Sequence, residues 1–177
     1  MFTKKQVGLI AVAVASMAAA GLAFAGTDTV DLTVQASVDK ACVVGTPTTM
    51  NFGSLALLNA SAGKVVTTGN ADATGKFYTA CTNGSTGVTY TFVGGESALF
   101  KMNDGGSNKI TYTLFSDSSR STGITRATAA ASSAFSGFAA DGADHELSVY
   151  GRVDLASNVA KPVGSYADTV TITVTYD

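Results

Sequence analysis

The 177-residue chain carries 11 Lys and Arg against 13 Asp and Glu, with one histidine, two cysteines and no tryptophan. That near-neutral, slightly acidic balance, without any basic cluster, argues against polyanion partners such as nucleic acid. Once an N-terminal leader is set aside, the length suits a single domain with an ordinary core.

The leader comes first. Lys4 and Lys5 form a positive start, Val7 to Ala20 is almost unbroken apolar sequence, and Ala23-Phe24-Ala25 is a small-x-small cleavage pattern. The apolar run is short for a membrane span and no stop-transfer pattern follows. Residues 1–25 are therefore expected to be a signal peptide, with Gly26 as the new N-terminus. Removing Lys4 and Lys5 from the 11 basic groups leaves 9 against 13 acidic, a net charge of −4 on the exported chain.

Thr29 to Val38 reads as a β-strand. Val30, Leu32, Val34, Ala36 and Val38 alternate with Thr29, Asp31, Thr33, Gln35 and Ser37, the period of a strand that buries one face. Placed at the extreme N-terminus, five apolar side chains on one face are an aggregation hazard unless an acceptor exists. The acceptor is either this molecule's own sheet or another subunit's.

Cys42 and Cys81 follow. An even pair in an exported chain predicts one disulfide, formed in an oxidising compartment such as a periplasm. Closing a loop of that length is worth about 4 kcal/mol on the chain-entropy model. There is no C-x-x-C and no His/Cys cluster, so redox and metal roles lack support.

Beyond Cys42 the chain reads as short strands divided by turn residues. Phe52 to Leu58, Val65 to Thr68 and Lys76 to Cys81 are weakly patterned, while Val88–Val93, Ile110–Leu114 and Leu147–Val153 alternate clearly. The closing segment sets Val170, Ile172, Val174 and Tyr176 against Thr169, Thr171, Thr173 and Thr175, the cleanest alternation of all. Turns fall at Asn83-Gly84, Gly94-Gly95, Asn103 to Gly106 and Lys161 to Gly164. Ser116 to Asp144 is expected to be a long Ser/Ala/Gly-rich connection, with at most a short strand or turn of its own. Six or seven strands at this spacing predict an all-β fold, an antiparallel sandwich.

Chemistry is sparse. His145 lies between Asp144 and Glu146 but is expected to be a solvated residue entering a strand, and no G-x-S-x-G elbow accompanies the serines. Asp141, Asp144 and Glu146 lack calcium-loop spacing, and no phosphate-binding glycine motif occurs. No catalytic residue, metal ligand or cofactor is assigned. Tyr150 is expected in the core, with Phe135 and Phe138 either buried or exposed for adhesion.

Taken together, several of these segments resemble the spore coat U domain, the unit of archaic (Csu-type) chaperone–usher pilus subunits. The resemblance lies in the strand running into the first cysteine (Val34 to Cys42), NFGSL at Asn51–Leu55, and FYTACTNG at Phe77–Gly84. ITYTLFSDSSRST at Ile110–Thr122 matches a Y-x-L-[FY]-x-D pattern, and GSYADTVTITVTYD at Gly164–Asp177 is the most diagnostic piece. The family's Trp-Gly after the Asp-containing bend is replaced here by Thr122-Gly123-Ile124.

The resemblance implies an incomplete immunoglobulin-like sandwich, lacking its last strand and completed by a donor strand from a neighbouring subunit. Residues 26–38 would be the donor strand, with Val30, Leu32, Val34 and Ala36 as its inserted face, and residues 39–177 the pilin domain. Val170, Ile172, Val174 and Tyr176 would form the edge offered to a periplasmic chaperone and then to the donor. The expected partners are identical or related pilus subunits, the chaperone and an outer-membrane usher; the expected location is the cell surface after passage through the periplasm. A single domain fits a shaft or adaptor subunit, with adhesion and biofilm formation as its expected role. The alternative is a secreted monomeric or coat-forming sandwich completed by its own N-terminal strand.

Overall fold

The computed structural model describes residues 26–57, 59–60, 65–66, 68–95 and 99–177. The leader, Leu58 and Thr67 lie outside the described residues. The chain divides into two units, one ending at Ala36 and one spanning Ser37–Asp177. In the first, residues 26–36 form no ladder, and Val30 and Leu32 are 94% and 86% exposed. The alternation of Thr29 to Val38 therefore has the pattern of a strand without a strand's pairing.

The second unit is almost entirely strand. In chain order its strands are β1 (Cys42–Val44), β2 (Asn59–Ala60), β3 (Val65–Val66), β4 (Asn70–Cys81), β5 (Thr89–Val93) and β6 (Phe100–Asn103). There follow β7 (Lys109–Phe115), β8 (Gly123–Ile124), β9 (Ala129–Ala131), β10 (Asp144–Asp154) and β11 (Thr171–Thr175). The larger sheet runs β1-β4-β10-β7-β6 with β8 alongside β7, the smaller runs β11-β5-β9, and β2 pairs β3 in a separate hairpin. All these pairings are antiparallel.

The two sheets face each other across an aromatic core. Phe77 of β4 meets Tyr90 and Phe92 of β5 edge-on, with ring centroids 5.2 and 6.0 Å apart, geometries that suit the ring quadrupoles. Phe135 closes the end of this cluster, 5.5 Å from Tyr90 and 2% exposed, and Phe138 packs beside it. Phe135 is thus a core residue, and Phe138 packs half-buried against the core. Burial raises the Tyr90 phenol above its ordinary value, and its hydroxyl donates to Thr79 Oγ1 at 3.0 Å.

Several expectations are revised. Lys76–Cys81 is only the second half of β4, whose first half shows faint patterning because its inward residues are Ala73 and Gly75. Residues 51–57 form no strand, yet Phe52, Leu55 and Leu57 pack against the core from an irregular segment. The Ser116 to Asp144 connection holds two short strands, β8 and β9, and a 3-10 turn at Ser132–Ala134. Tyr150 is not a core residue. The inward row of β10 is Leu147, Val149, Gly151 and Val153, so Tyr150 points outward, where the Arg120 guanidinium lies 5.6 Å from its ring centroid. His145 is held by Asp141 rather than by its flanking carboxylates, through an Nε2 to Oδ1 contact of 2.8 Å.

Two polar devices fix the frame. The Asp117 carboxylate accepts from the Ser119 hydroxyl, from Ser121 N at 3.0 Å and from Thr122 N at 2.6 Å, which shapes the bend after β7 and holds its acid well below the usual carboxylate range. Asn158, 2% exposed, accepts from Thr111 N at 2.8 Å and donates to Thr111 O at 3.0 Å and Asp154 O at 2.8 Å. Its amide thereby supplies the donor and acceptor that a strand would offer β7.

Candidate functional site

Among the described residues β11 hydrogen-bonds to a single strand, and β1 comes close to it without pairing. On one side it pairs β5, with Ile172 opposite Phe92 and Val174 opposite Tyr90; on the other it is the edge of the smaller sheet. An antiparallel edge leaves alternate N–H and C=O groups directed away from its partner. The side chains report the same opening. Phe92 and Tyr90 are 1% and 0% exposed, whereas their register partners Ile172 and Val174 are only half-buried. An apolar row that is sealed on β5 is uncovered one strand further out.

The uncovered row borders a groove of about 550 Å³. One wall is the irregular segment Pro47–Phe52, the other runs from Tyr166 to Ile172, and the floor is Phe77, Phe92, Met102, Tyr112, Leu114 and Val149. The floor is core: Phe77, Phe92 and Leu114 are 0%, 1% and 3% exposed. The groove thus reaches the hydrophobic centre of the domain from its side.

Local chemistry places each wall. On the first, Thr48 N donates to Lys76 O at 2.7 Å, and Lys76 N donates to Thr48 Oγ1 at 2.8 Å. On the second, Ala167 exchanges backbone hydrogen bonds with Asn103 at 2.8 and 2.9 Å, tying the chain to β6 before it crosses to the smaller sheet. Asp168 then accepts from Tyr112 Oη at 2.7 Å and Gly95 N at 3.0 Å. Burial, reinforced by that carboxylate, holds the Tyr112 phenol far above its ordinary value, so it stays a donor at any physiological pH. A side chain at Gly94 would collide with Asp168, its Cβ lying 2.7 Å from Oδ2. The aspartate of the Gly164–Asp177 motif is therefore the anchor of the edge strand.

Of the residues expected at this edge, Val170 and Ile172 line the groove, Val174 packs on the core beyond it, and Tyr176 is 37% exposed. Val34, like Val30 and Leu32, is exposed, at 84%. The expected disulfide is formed: Cys42 and Cys81 are register partners on β1 and β4 and are bonded. Sequence reading missed Met50, Met102, Tyr112 and Asp168 as groove residues. A signal for one wall existed in Gly75 and Gly151, each inside a strand, where glycine often marks close approach by another segment.

Among the described residues no cluster of three or more His, Cys, Asp or Glu could hold a metal ion. Glu146, on the outer face of β10, is engaged by Lys76 Nζ at 2.6 Å and Tyr78 Oη at 2.8 Å, which together lower its acid. Among the described residues no helix is long and apolar enough to cross a membrane.

A family model described as Spore Coat Protein U domain matches residues 28–173. No curated protein sequence matches the chain. Among solved structures, it resembles one from the CsuC-CsuE chaperone–tip adhesion subunit pre-assembly complex of archaic chaperone-usher Csu pili of Acinetobacter baumannii, with 18% identity and a TM-score of 0.50. That likeness covers 77% of this chain but 40% of the other, so the chain spans about two fifths of its length. The P pilus rod subunit PapA aligns with 15% identity and a TM-score of 0.46, over 83% of this chain and 100% of that one. At 18% identity the first of these likenesses shows a shared fold.

Proposed function

The chain belongs to the Spore Coat Protein U domain family, and from that premise we propose that it is a structural subunit of a surface pilus assembled by donor-strand exchange. The observation that carries the reading is the β11 edge: a strand that, among the described residues, is hydrogen-bonded on one side only, beside a groove floored by core aromatics. Such an edge is completed by strand addition, in which backbone pairing supplies affinity and alternate side chains fill the groove.

The N-terminal segment has the matching form. In an extended strand Val30, Leu32, Val34 and Ala36 recur about every 6.8 Å, the spacing of Val170, Ile172 and Val174. Residues 26–38 act as the donor, residues 39–177 as the acceptor domain. A periplasmic chaperone covers the β11 edge first, and the donor segment of the next subunit replaces it at an outer-membrane usher. The signal peptide delivers the chain to that route. The fibre then supports adhesion and biofilm formation, with this chain as its shaft subunit. No step requires catalysis or a cofactor.

The test is polymerisation of the intact exported protein. Material sheared from the cell surface, run unboiled on a denaturing gel, should give a ladder of strand-linked multimers that collapses on boiling. Intact protein that stays monomeric after release from its chaperone, and unfolds when Thr27–Ala36 is removed, would instead establish self-completion and end the pilus reading.

A further inference from the structure

Resting on the reading of the groove as a strand acceptor, we infer that Gly75 and Gly151 form a seat for Met50 and Phe52, and that these two side chains decide which donor side chains the groove admits. Both glycines are buried in strand interiors, Gly75 in β4 and Gly151 in β10, on the face that looks into the sandwich. Neither has a positive φ, so conformational freedom does not explain them. Space does. A Cβ on Gly151 would lie 2.4 Å from Met50 Sδ and 2.7 Å from Phe52 Cζ, and one on Gly75 would lie 3.3 Å from Met50 Cβ. Glycine is a costly choice inside a strand and is expected where another segment must approach closely.

That seat is what positions the wall. Thr48 is fastened to Lys76, and the next described backbone bond from this segment to a distant residue is Ala160 N to Leu57 O at 2.9 Å. Among the described residues between them there is no strand, so Met50 and Phe52 hold the wall by packing alone. Both line the groove, and the Phe52 ring lies 5.9 Å from that of Tyr112 on its floor. Methyl groups added at the seat push these side chains toward the space a donor strand needs. Truncating Phe52 deepens the same space.

The experiment uses the full exported chain held by its chaperone, which keeps the groove clear of other donor segments, and an excess of a fluorescent synthetic peptide spanning residues 26–37, with capture scored as an unboiled-gel complex. Gly151→Ala, with its disulfide and circular dichroism intact, should slow capture by about tenfold or more. Adding Met50→Ala to Gly151→Ala removes the nearer of the two clashes and gives Phe52 room to shift, so it should recover at least about threefold of the lost rate, a coupling expected only of groups in contact. Phe52→Ala should capture at least one peptide with tryptophan replacing Val30, Leu32 or Val34 that the unmodified chain refuses. That gain also decides the matter if Gly151→Ala fails to fold. Capture of the natural peptide with no effect of folded Gly151→Ala and no gain in Phe52→Ala would overturn the inference while leaving the acceptor reading standing. Failure of the unmodified chain to capture the natural peptide would overturn the acceptor reading and this inference with it.

Discussion

Leu32→Asp is the sharpest test of the proposed donor-strand exchange, because it acts on a residue with little to lose in the free subunit. Leu32 is 86% exposed, so nearly its whole side chain is available for burial in a neighbour's groove. That burial is worth about 1.5–3 kcal/mol, and Val30 and Val34, 94% and 84% exposed, each bring a comparable or smaller amount. Aspartate forfeits the leucine contribution. It also sets a carboxylate against a floor of Phe77, Phe92 and Leu114, where a lone charge costs several kcal/mol. A combined loss of about 4–6 kcal/mol weakens the linkage by roughly a thousandfold or more. The folded subunit itself should be unaffected, with its Cys42–Cys81 bond formed and its chaperone complex recovered in normal yield. The assay is the unboiled-gel ladder of surface material, with Leu32→Val as a control that keeps an apolar side chain and should keep the ladder. A full-length ladder from Leu32→Asp would refute the assignment of this segment as the inserted strand.

Ile172→Asp should act on the other partner, giving a subunit that co-purifies poorly with its chaperone and is degraded; normal co-purification would count against β11 as the docking edge. Cys42→Ser should lower stability by about 2–5 kcal/mol, read from the denaturant midpoint and from periplasmic yield. Asn158→Leu should cost roughly 2–5 kcal/mol, since it strips partners from Thr111 N, Thr111 O and Asp154 O, while leaving peptide capture by the remaining folded protein unchanged. Asp117 contributes to acid sensitivity. Its folded pKa is depressed by hydrogen bonds from Ser119, Ser121 and Thr122, so its contribution is fully present above the unfolded carboxylate value of about 3.9 and is lost as pH falls below it. Asp117→Asn should therefore flatten the stability profile between about pH 4 and pH 2, measured by denaturant titration at each pH.

Period-2 alternation by itself determined β5, β7, β10 and β11, because in each the residues facing the core differ chemically from those facing water, and that difference is local. The cysteine pair, the apolar N-terminal face and the Gly164–Asp177 motif were legible for the same reason: residue type and spacing along the chain carry them. The structure decided what depends on segments far apart in sequence. The front half of β4 reads as featureless because Ala73 and Gly75 are small, and Gly75 is small because Met50 lies over it. Phe52, Leu55 and Leu57 carry strand-like residues but spend them on packing without a ladder. Tyr150 looks like core until the register of β10 with β4 sets it on the outer face beside Arg120. The groove, apart from Val170 and Ile172 on its edge strand, belongs to this second class. Its walls, Pro47–Phe52 and Tyr166–Ile172, stand at opposite ends of the domain's sequence and face each other only because β4 pairs β10 in one sheet and β11 pairs β5 in the other. Periodicity shows that a segment has an apolar face; only the tertiary arrangement determines whether another segment covers it.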